Sequence, residues 1–202
     1  MKHLTICLGI LFYLLLPGCK QLDEPLLSEG VVSFPLRPGA LWQYMVTDTI
    51  LNIHDTVEIS IPSTITAPNG QLAWLWRIHS PGNSDTLYIV VSKNRLNFYA
   101  DAHLQYLRII LDYPLNVGKK WETAFALYQV VSMESVTLDA RVVDNVTRII
   151  QTPQHIGNEV GANEYWVQPD VGLVKMVDGV WTTVDMESFH HTEWNLLSYH
   201  IP

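Results

Sequence analysis

The densest group of potential metal ligands is His190-His191 followed by Glu193, close to the end of the chain. On a β-strand, His191 and Glu193 would point to the same face, because side chains alternate along a strand. Such a pair could chelate Zn²⁺ only with a third ligand from elsewhere. The chain contains neither a His-Glu-x-x-His motif nor a clamp of two closely spaced cysteines. A polar loop before the last strand explains the cluster, so we predict no metal site and no cofactor.

Nucleophilic catalysis by serine requires a base within hydrogen-bond reach and donors for the oxyanion. The chain has no Gly-x-Ser-x-Gly segment and no glycine loop of the kind that cradles phosphate. His54-Asp55 is an adjacent pair whose side chains would project to opposite faces of a strand, so it is a poor dyad. Asp185, Glu187 and Glu193 are scattered, whereas glycoside hydrolysis needs two carboxylates facing each other across a cleft. We therefore predict that the protein is not an enzyme.

The aromatic content is the remaining chemical signal. The seven tryptophans are Trp42, Trp74, Trp76, Trp121, Trp166, Trp181 and Trp194. Exposed indoles would bind the apolar faces of sugars, and indoles lining a cavity would hold an acyl chain. Each tryptophan lies in a strand-like segment, where a large inward side chain is most simply part of the core. Trp74 and Trp76 are the candidates for ligand binding, because two indoles on one strand face form a wide apolar plane.

The N-terminus has the pattern of an export signal. A short positive segment at residues 1–3 precedes an uncharged apolar run at residues 4–16, which is too short for a stable membrane span. Leu16-Pro17-Gly18-Cys19 then resembles a bacterial lipobox, in which a signal peptidase cuts before a cysteine that becomes diacylated. The resemblance implies a signal peptide over residues 1–18, lipidation of Cys19 and a lipidated tether over residues 19–32.

Charge and cysteine content narrow the possible partners. Cys7 lies within the apolar run and Cys19 is the predicted lipid site, so the processed chain has no thiol for a disulfide and depends on packing. Removing residues 1–18 leaves 11 basic against 20 acidic residues, a net charge of −9 in place of −8. This balance argues against binding to nucleic acid or to anionic lipid. We expect the acyl chains on Cys19 to anchor the protein to the outer membrane, on its periplasmic or its cell-surface side.

Residues 33–202 have the pattern of a single β-rich domain. The segments with strand patterns are 56–61, 72–78, 86–91, 96–99, 106–111, 135–142, 164–167, 173–177, 180–184 and 193–201. Asp178-Gly179 predicts a tight hairpin turn. No segment shows a sustained apolar period of 3.6 residues. The pattern predicts an all-β, mainly antiparallel fold with minimal helix, either a β-sandwich or a curved, open, barrel-like sheet.

A nine-residue pattern, aromatic-Pro-Leu-x-x-Gly-x-x-Trp, occurs twice, 79 positions apart. Its matching residues are Pro35, Leu36, Gly39 and Trp42 in the first copy and Pro114, Leu115, Gly118 and Trp121 in the second. Proline suits a strand entry where ladder bonding has not begun, and glycine permits a bend with positive φ. Leucine and tryptophan would anchor the bend to the core. We call each copy a structural clip, and predict that the two clips open two related β-units, 33–111 and 112–202.

Three short stretches of the chain resemble bacterial lipoproteins of the Bacteroidetes type. They are the structural clip, residues 170–175 (Asp-Val-Gly-Leu-Val-Lys) and residues 194–199 (Trp-Asn-Leu-Leu-Ser-Tyr). The resemblance implies an exported, β-rich, lipid-anchored protein. It implies no activity, because none is established for such proteins.

Three functions stay open. The first is a non-enzymatic binding or interaction protein of the cell envelope, held at the membrane through Cys19, that contacts a protein partner or a small ligand. The second is a carrier of an apolar ligand or lipid in a cavity enclosed by the sheet. The third is a glycan-binding module that uses exposed tryptophan or tyrosine. An apolar cavity would favour the second function, and exposed coplanar rings would favour the third.

Overall fold

The computed structural model describes residues 33–48, 52–139, 141–154, 162–181 and 189–202. The predicted signal peptide, lipidation site and tether therefore lie outside the described residues. Every regular element of the described part is a β-strand, and no helix of membrane-spanning length and hydropathy occurs in it. The predicted all-β, antiparallel, barrel-like fold is confirmed.

The described residues form thirteen strands of one sheet. The first seven are β1 (Leu41–Asp48), β2 (Ile53–Ser60), β3 (Thr64–Thr66), β4 (Leu72–Ser80), β5 (Asn83–Ser92), β6 (Arg95–Tyr99) and β7 (Leu107–Asp112). The other six are β8 (Lys120–Glu122), β9 (Ala126–Leu138), β10 (Arg141–Pro153), β11 (Asn163–Gln168), β12 (Gly172–Trp181) and β13 (Phe189–His200). All pairings between them are antiparallel.

The sheet consists of two meanders joined head to tail. Strands β1 to β7 lie side by side in chain order, with the short β3 set beside β4, and strands β8 to β13 do the same. The last strand of the second meander, β13, pairs with the first strand of the first, β1. Strands β7 and β8 stand at the two ends of this order, and the sheet is nearly closed into a barrel. The division into two related β-units stays an interpretation.

Inward-pointing aromatic residues fill the barrel where the two meanders meet. Every second residue of β1 is buried, beginning with Trp42 and Tyr44. The indole of Trp42 stacks on Trp76 of β4 with a centroid distance of 5.1 Å. Phe98 of β6 meets the same Trp76 ring edge-on at 5.7 Å. Burying such rings removes about 150–250 Å² of surface each from water, so a core of this kind can stabilise a domain without disulfides.

Strand β12 separates from β13 at its start, and β1 takes over the unpaired carbonyls. The β12–β13 ladder begins only at Lys175. Before Lys175 in the chain, the carbonyl of Val171 accepts a hydrogen bond from Trp42 Nε1 at 2.7 Å. The carbonyl of Leu173 accepts a hydrogen bond from the Tyr44 hydroxyl at 2.6 Å. Both donors are buried, and burial raises the pKa of the Tyr44 hydroxyl, which therefore remains a donor at all ordinary pH values. These bonds join β1 to the start of β12, its second neighbour in the strand order.

The two clips share the same backbone geometry. Gly39 and Gly118 have φ angles of +89° and +88°, in the region that favours glycine. The amide of Gly39 donates to the carbonyl of Ile61 at 2.7 Å, and the amide of Gly118 donates to the carbonyl of Val130 at 2.9 Å. In both copies the neighbouring strand donates back to the residue after the glycine, at 2.9 Å. Each bend is thus fastened to the strand that follows it in the sheet.

The prolines and leucines of the two clips differ in burial. Pro35 and Leu36 are buried, whereas Pro114 is exposed and Leu115 is half-buried. The first clip opens β1 in the middle of the sheet order, while the second opens β8 at one end of it. The second clip therefore has fewer neighbouring strands to cover it.

The aromatic residue that begins each clip is Phe34 in the first copy and Tyr113 in the second. Both rings are buried. The hydroxyl of Tyr113 has no hydrogen-bond partner within the part of the chain that the structure describes. The second clip therefore packs the ring of Tyr113 into the core. The hydroxyl of Tyr113 is a buried polar group that receives no hydrogen bond from the described residues.

Side chains bridge the gap between β7 and β8. The Lys119 ammonium donates to the carbonyl of Asp112 at 2.5 Å, to its Oδ1 at 2.7 Å and to the carbonyl of Tyr113 at 2.9 Å. Arg95 Nε donates to Oδ2 of the same carboxylate at 2.7 Å. Trp121 Nε1 donates to a β7 carbonyl across the same gap at 3.1 Å. Hydrogen bonds from the Lys119 ammonium and the Trp121 indole therefore connect β7 to β8 in place of the hydrogen bonds of a backbone ladder.

Two local predictions are wrong. The predicted strand 135–142 is a hairpin: β9 ends at Leu138, Asp139 has a φ of +53°, and Arg141 opens β10 opposite Leu138. A two-residue loop without the usual glycine leaves the alternation intact, so the pattern did not reveal it.

The predicted turn at Asp178-Gly179 lies inside β12, where both residues pair with β13. The ladder partner across the sheet outweighs the local turn preference of this dipeptide.

Strands β9 and β10 form a ribbon that extends past its neighbours. Strand β8 pairs with β9 only at residues 127–129, and β11 pairs with β10 only at residues 147–151. At the tip of the ribbon, the Arg141 guanidinium donates to the carbonyl of Leu197 at 3.2 Å and lies over the Tyr199 ring at 5.6 Å. The ribbon therefore reaches the part of β13 that has left β12.

Two tyrosine substitutions test the roles of the buried hydroxyls. Tyr44→Phe leaves the buried Leu173 carbonyl unpaired and should lower the free energy of unfolding by about 1–3 kcal/mol. Tyr113→Phe removes a hydroxyl that has no hydrogen-bond partner among the described residues, and should leave this free energy unchanged or raise it by up to about 1 kcal/mol. Urea unfolding followed by circular dichroism measures both. Equal losses in the two variants would contradict the assignment.

The seam between β7 and β8 should make stability depend on pH. Burial by itself would raise the pKa of Asp112, but the hydrogen bonds and charges of Lys119 and Arg95 outweigh it and hold that pKa below its usual value. The stabilisation is therefore complete above the unfolded-state pKa of about 3.9, and is lost as the pH falls through the lower folded-state pKa.

Asp112→Asn should lower the free energy of unfolding by about 1–3 kcal/mol at pH 7, because the ammonium loses a charged acceptor. The difference from the wild type should shrink below about pH 4, where the wild-type carboxyl also becomes neutral. Denaturant unfolding at a series of pH values measures it, with the exposed Glu122→Gln as control. A loss that is the same at every pH would refute the electrostatic role.

Candidate functional site

A cavity of about 150 Å³ lies inside the barrel, between the two meanders. Four buried residues form its floor: Ile59, Trp76, Phe98 and Leu173. Five half-buried apolar residues surround them: Ile78, Leu87, Ile109, Met176 and Trp194. These side chains come from β2, β4, β5, β6 and β7 on one side and from β12 and β13 on the other. Neither meander could form the cavity alone.

Two polar side chains complete the lining, Tyr165 of β11 and Asp178 of β12. Tyr165 is buried, and its hydroxyl donates to Oε1 of Gln151 at 2.6 Å. The amide of Gln151 in turn donates to the Tyr128 hydroxyl at 3.0 Å. Burial raises the pKa of Tyr165, and the negative charge of Asp178 acts in the same direction. The phenol is therefore neutral and fixed, while the carboxylate places negative charge at the cavity.

Strand pairing explains why Asp178 faces the cavity. Met176 pairs with Tyr165 on one side and with Trp194 on the other, and all three line the cavity. Asp178 follows Met176 by two positions and so points to the same face of the sheet. Unlike the floor residues, Asp178 is exposed. The cavity thus runs from a buried apolar floor to a carboxylate in contact with water.

Further polar groups stand at the same end of the barrel. Thr192 pairs with Asp178 on one side and with Asp48 on the other. Its hydroxyl donates to Oδ2 of Asp48 at 3.0 Å, and Asp48 is buried. Asp85 pairs with the cavity-lining Ile78. The carboxylates of Asp48, Asp85 and Asp178 therefore lie in the strand rows at this end of the barrel.

The two tryptophans proposed for ligand binding have different positions. Trp76 forms part of the cavity floor, with 2% of its surface exposed. Trp74 is 7% exposed and is not among the described residues that line the cavity. Both are packed in the interior, so they present no exposed apolar plane. Trp76 can contact a ligand only from within the barrel.

Another tryptophan lies on the outer face of the sheet. The Arg148 guanidinium lies 5.2 Å and the Lys175 ammonium 5.3 Å from the centroid of the Trp166 ring, and Trp166 Nε1 donates to Glu134 at 2.8 Å. Its ring is buried under these side chains. The arrangement stabilises the outer surface through cation–π contacts and leaves no free aromatic face.

The residues weighed for metal binding and catalysis do not converge in the described part. Glu193 accepts hydrogen bonds from Lys175 at 2.6 Å and from Asn195 at 2.8 Å. The side chains of His190 and His191 lie outside the described set. No group of three His, Cys, Asp or Glu residues that could hold a metal ion occurs among the described residues. His54 and Asp55 are successive exposed residues of β2.

The sequence interpretation missed Asp178 because the following glycine suggested a turn. The signal that could have revealed it is alternation, since Met176 and Asp178 continue one face of a strand if no turn is assumed. The cavity itself left no signal in the pattern. It depends on how side chains from eight strands fill the same space.

No family model and no curated protein match this chain. Two solved structures are similar to it. One is a candidate lipoprotein of Parabacteroides distasonis ATCC 8503, with a TM-score of 0.51 and 13% identity over 84% of this chain and 99% of that one. The other is a candidate exported protein with a YmcC-like fold from Bacteroides fragilis NCTC 9343, with a TM-score of 0.52 and 11% identity over 85% of this chain and 100% of that one. At this level of identity, the likeness shows that the chain shares their fold.

Proposed function

We propose that this protein is a non-enzymatic, lipid-anchored protein of the bacterial envelope whose barrel binds a small apolar group in its interior cavity. The single observation that carries the binding role is the cavity of about 150 Å³ with aromatic and aliphatic walls. Pockets that are mostly apolar, with a few convergent polar groups, are the usual form of small-molecule sites. The envelope location is supported by the lipobox-like segment and by the two structures of similar fold, which are named as a lipoprotein and an exported protein.

The volume of the cavity limits what can enter. A dry apolar cavity of about 150 Å³ accepts a molecule the size of benzene. Pockets for drug-sized ligands are larger, at roughly 300–1,000 Å³. The enclosed group is therefore a single ring or a short branched alkyl group. A whole acyl chain would extend past the rim, which restricts a lipid-carrier function to partial enclosure.

The polar groups of the cavity favour binding over catalysis. The Tyr165 hydroxyl is committed to Gln151, and its raised pKa makes it a poor base or nucleophile at neutral pH. Asp178 is the one carboxylate among the described lining residues. No histidine or cysteine of the described residues lines the cavity, so the usual pair of nucleophile and base has no members there.

Glycan binding and nucleic-acid binding have weaker support than an apolar ligand. A glycan module built on Trp74 and Trp76 needs their rings exposed together, and both are buried. A nucleic-acid partner is disfavoured by the net charge of −8. The partners that we propose are the membrane, through Cys19, and a small ligand.

Metabolic labelling with a radioactive fatty acid tests the anchor. The wild-type protein, expressed in a bacterium that processes lipoproteins, should incorporate label and fractionate with membranes. Cys19→Ala should lose the label completely, because it lacks the acceptor sulfur, whereas Cys7→Ala should keep it. Labelling of Cys19→Ala, or its absence from the wild type, would overturn the anchoring proposal.

Filling the cavity tests the binding role. Leu87→Trp adds bulk at the cavity and should weaken binding of benzyl alcohol, a ring-sized probe, by at least about tenfold, or 1.4 kcal/mol. Leu197→Trp makes the same change at an exposed position of β13 and should leave the affinity within about twofold. Calorimetric titration of the lipidated protein in nanodiscs measures both, with empty nanodiscs as blank and circular dichroism as a folding check. Binding that is absent in the wild type, or equal in both variants, would refute the cavity as the site.

A further inference from the structure

We propose that a ligand in the cavity holds the seam between β7 and β8 closed, through the row of side chains that runs from Tyr165 to Trp121. Occupancy of the cavity and closure of the barrel are then coupled. This inference rests on the proposed function and adds a conformational consequence to it.

The seam is the place where the barrel wall lacks a backbone ladder. Among the described strands, β7 and β8 stand at the two ends of the sheet order and do not pair with each other. Hydrogen bonds from the Lys119 ammonium and the Trp121 indole cross the seam instead. Local opening costs less free energy where few hydrogen bonds must break. We therefore expect the barrel to open at this seam before it opens elsewhere.

A row of side chains leads from the cavity to the β8 side of the seam. The hydroxyl of Tyr165, which lines the cavity, donates to Oε1 of Gln151 at 2.6 Å. Gln151 of β10 is the ladder partner of Tyr128 in β9, and its amide donates to the Tyr128 hydroxyl at 3.0 Å. The ring of Tyr128 stacks on its ladder partner in β8, Trp121, with a centroid distance of 5.3 Å and an interplanar angle of 6°. Trp121 Nε1 donates to the carbonyl of Ile110 at 3.1 Å, so direct contacts connect the cavity wall to β7.

The β7 side of the seam borders the cavity directly. Ile109 of β7 lines the cavity and pairs with Phe98, which forms part of the cavity floor. The next residue, Ile110, carries the carbonyl that accepts the hydrogen bond from Trp121. When β7 separates from β8, the cavity wall at Ile109 is therefore displaced.

A ligand that contacts Ile109 and Tyr165 together must favour the closed barrel. Both contacts are available only while the seam is closed, so the affinity of the ligand is higher for the closed form than for the open form. By thermodynamic linkage, the ligand lowers the population of the open form. If the open form does not bind at all, a ligand at about ten times its Kd lowers that population by about elevenfold.

Solvent exchange of the Trp121 indole proton measures opening of the seam. NMR spectroscopy of the lipidated, processed protein in nanodiscs follows this exchange in deuterium oxide, and the Trp121→Phe variant assigns the signal. The indole protons of Trp42 and Trp166 are internal references, because they donate to Val171 and Glu134 and not across the seam. Without ligand, we expect the Trp121 proton to exchange faster than the Trp42 proton. Benzyl alcohol at about ten times its Kd should slow the Trp121 exchange by about threefold to elevenfold.

The outcomes separate this inference from the proposed function. Equal slowing of all three indole protons would mean that the ligand only stabilises the whole domain against unfolding, and would overturn the inference. An unchanged Trp121 exchange rate in protein that binds benzyl alcohol would also overturn it, while the proposed function stands. If calorimetry detects no binding of benzyl alcohol, the proposed function and the inference both fail.

Gln151→Met interrupts the row without changing a residue that lines the cavity. It should reduce the ligand-dependent slowing of Trp121 exchange by at least about twofold, while the affinity for benzyl alcohol stays within about threefold. Gln129→Met is the matched control, because Gln129 is a half-buried neighbour of Tyr128 in β9 whose side chain points to the opposite face. It should leave the slowing unchanged. Full slowing in a folded Gln151→Met protein, checked by circular dichroism, would contradict coupling through this row.

Discussion

Buried hydrogen bonds from Trp42 and Tyr44 tie the first strand of the first meander to the start of β12 in the second. At this point β12 has left β13, so its carbonyls lack the ladder donors that a buried backbone requires. Two side chains that stand two positions apart on β1 supply those donors, at 2.7 and 2.6 Å. Their spacing matches that of the alternate carbonyls of Val171 and Leu173. These bonds tie β1 to the start of β12, its second neighbour in the strand order, in a part of the barrel where the surrounding side chains are buried.

The cavity lies beside a packed group of aromatic rings. Trp42 of β1 stacks on Trp76 of β4 within the first meander, and the rings of Phe34 and Phe98 pack against Trp76. Next to these rings, Leu87 of β5 and Met176 of β12 line the unfilled space between the two meanders. One set of aromatic residues therefore closes part of the barrel and defines the floor of the pocket in the rest. Stability and binding depend on the same tryptophan.

Local patterns were enough to predict the class of the fold. Alternation located most strands within a few residues, because each strand buries one face, and the clips were visible because their proline, glycine and tryptophan have separate backbone and packing roles. The order of the strands was not predictable, since the pairing of β13 with β1 joins segments far apart in the chain. Asp178 was misplaced because a local turn signal was contradicted by a distant ladder partner. The cavity could not be foreseen at all, since it is the volume that side chains of both meanders leave unfilled.

The pairing of β1 with β13 has a consequence for how the chain acquires its shape during the export that we propose. Thr192 and Asp48 are hydrogen-bonded neighbours separated by 144 positions, so the central seam cannot form until nearly the entire polypeptide has crossed the inner membrane. Until then β1 carries an open edge, which is a template for unwanted association with other strands. Because β1 leaves the translocation channel early and its mate leaves late, this edge of β1 stays unpaired for most of the passage.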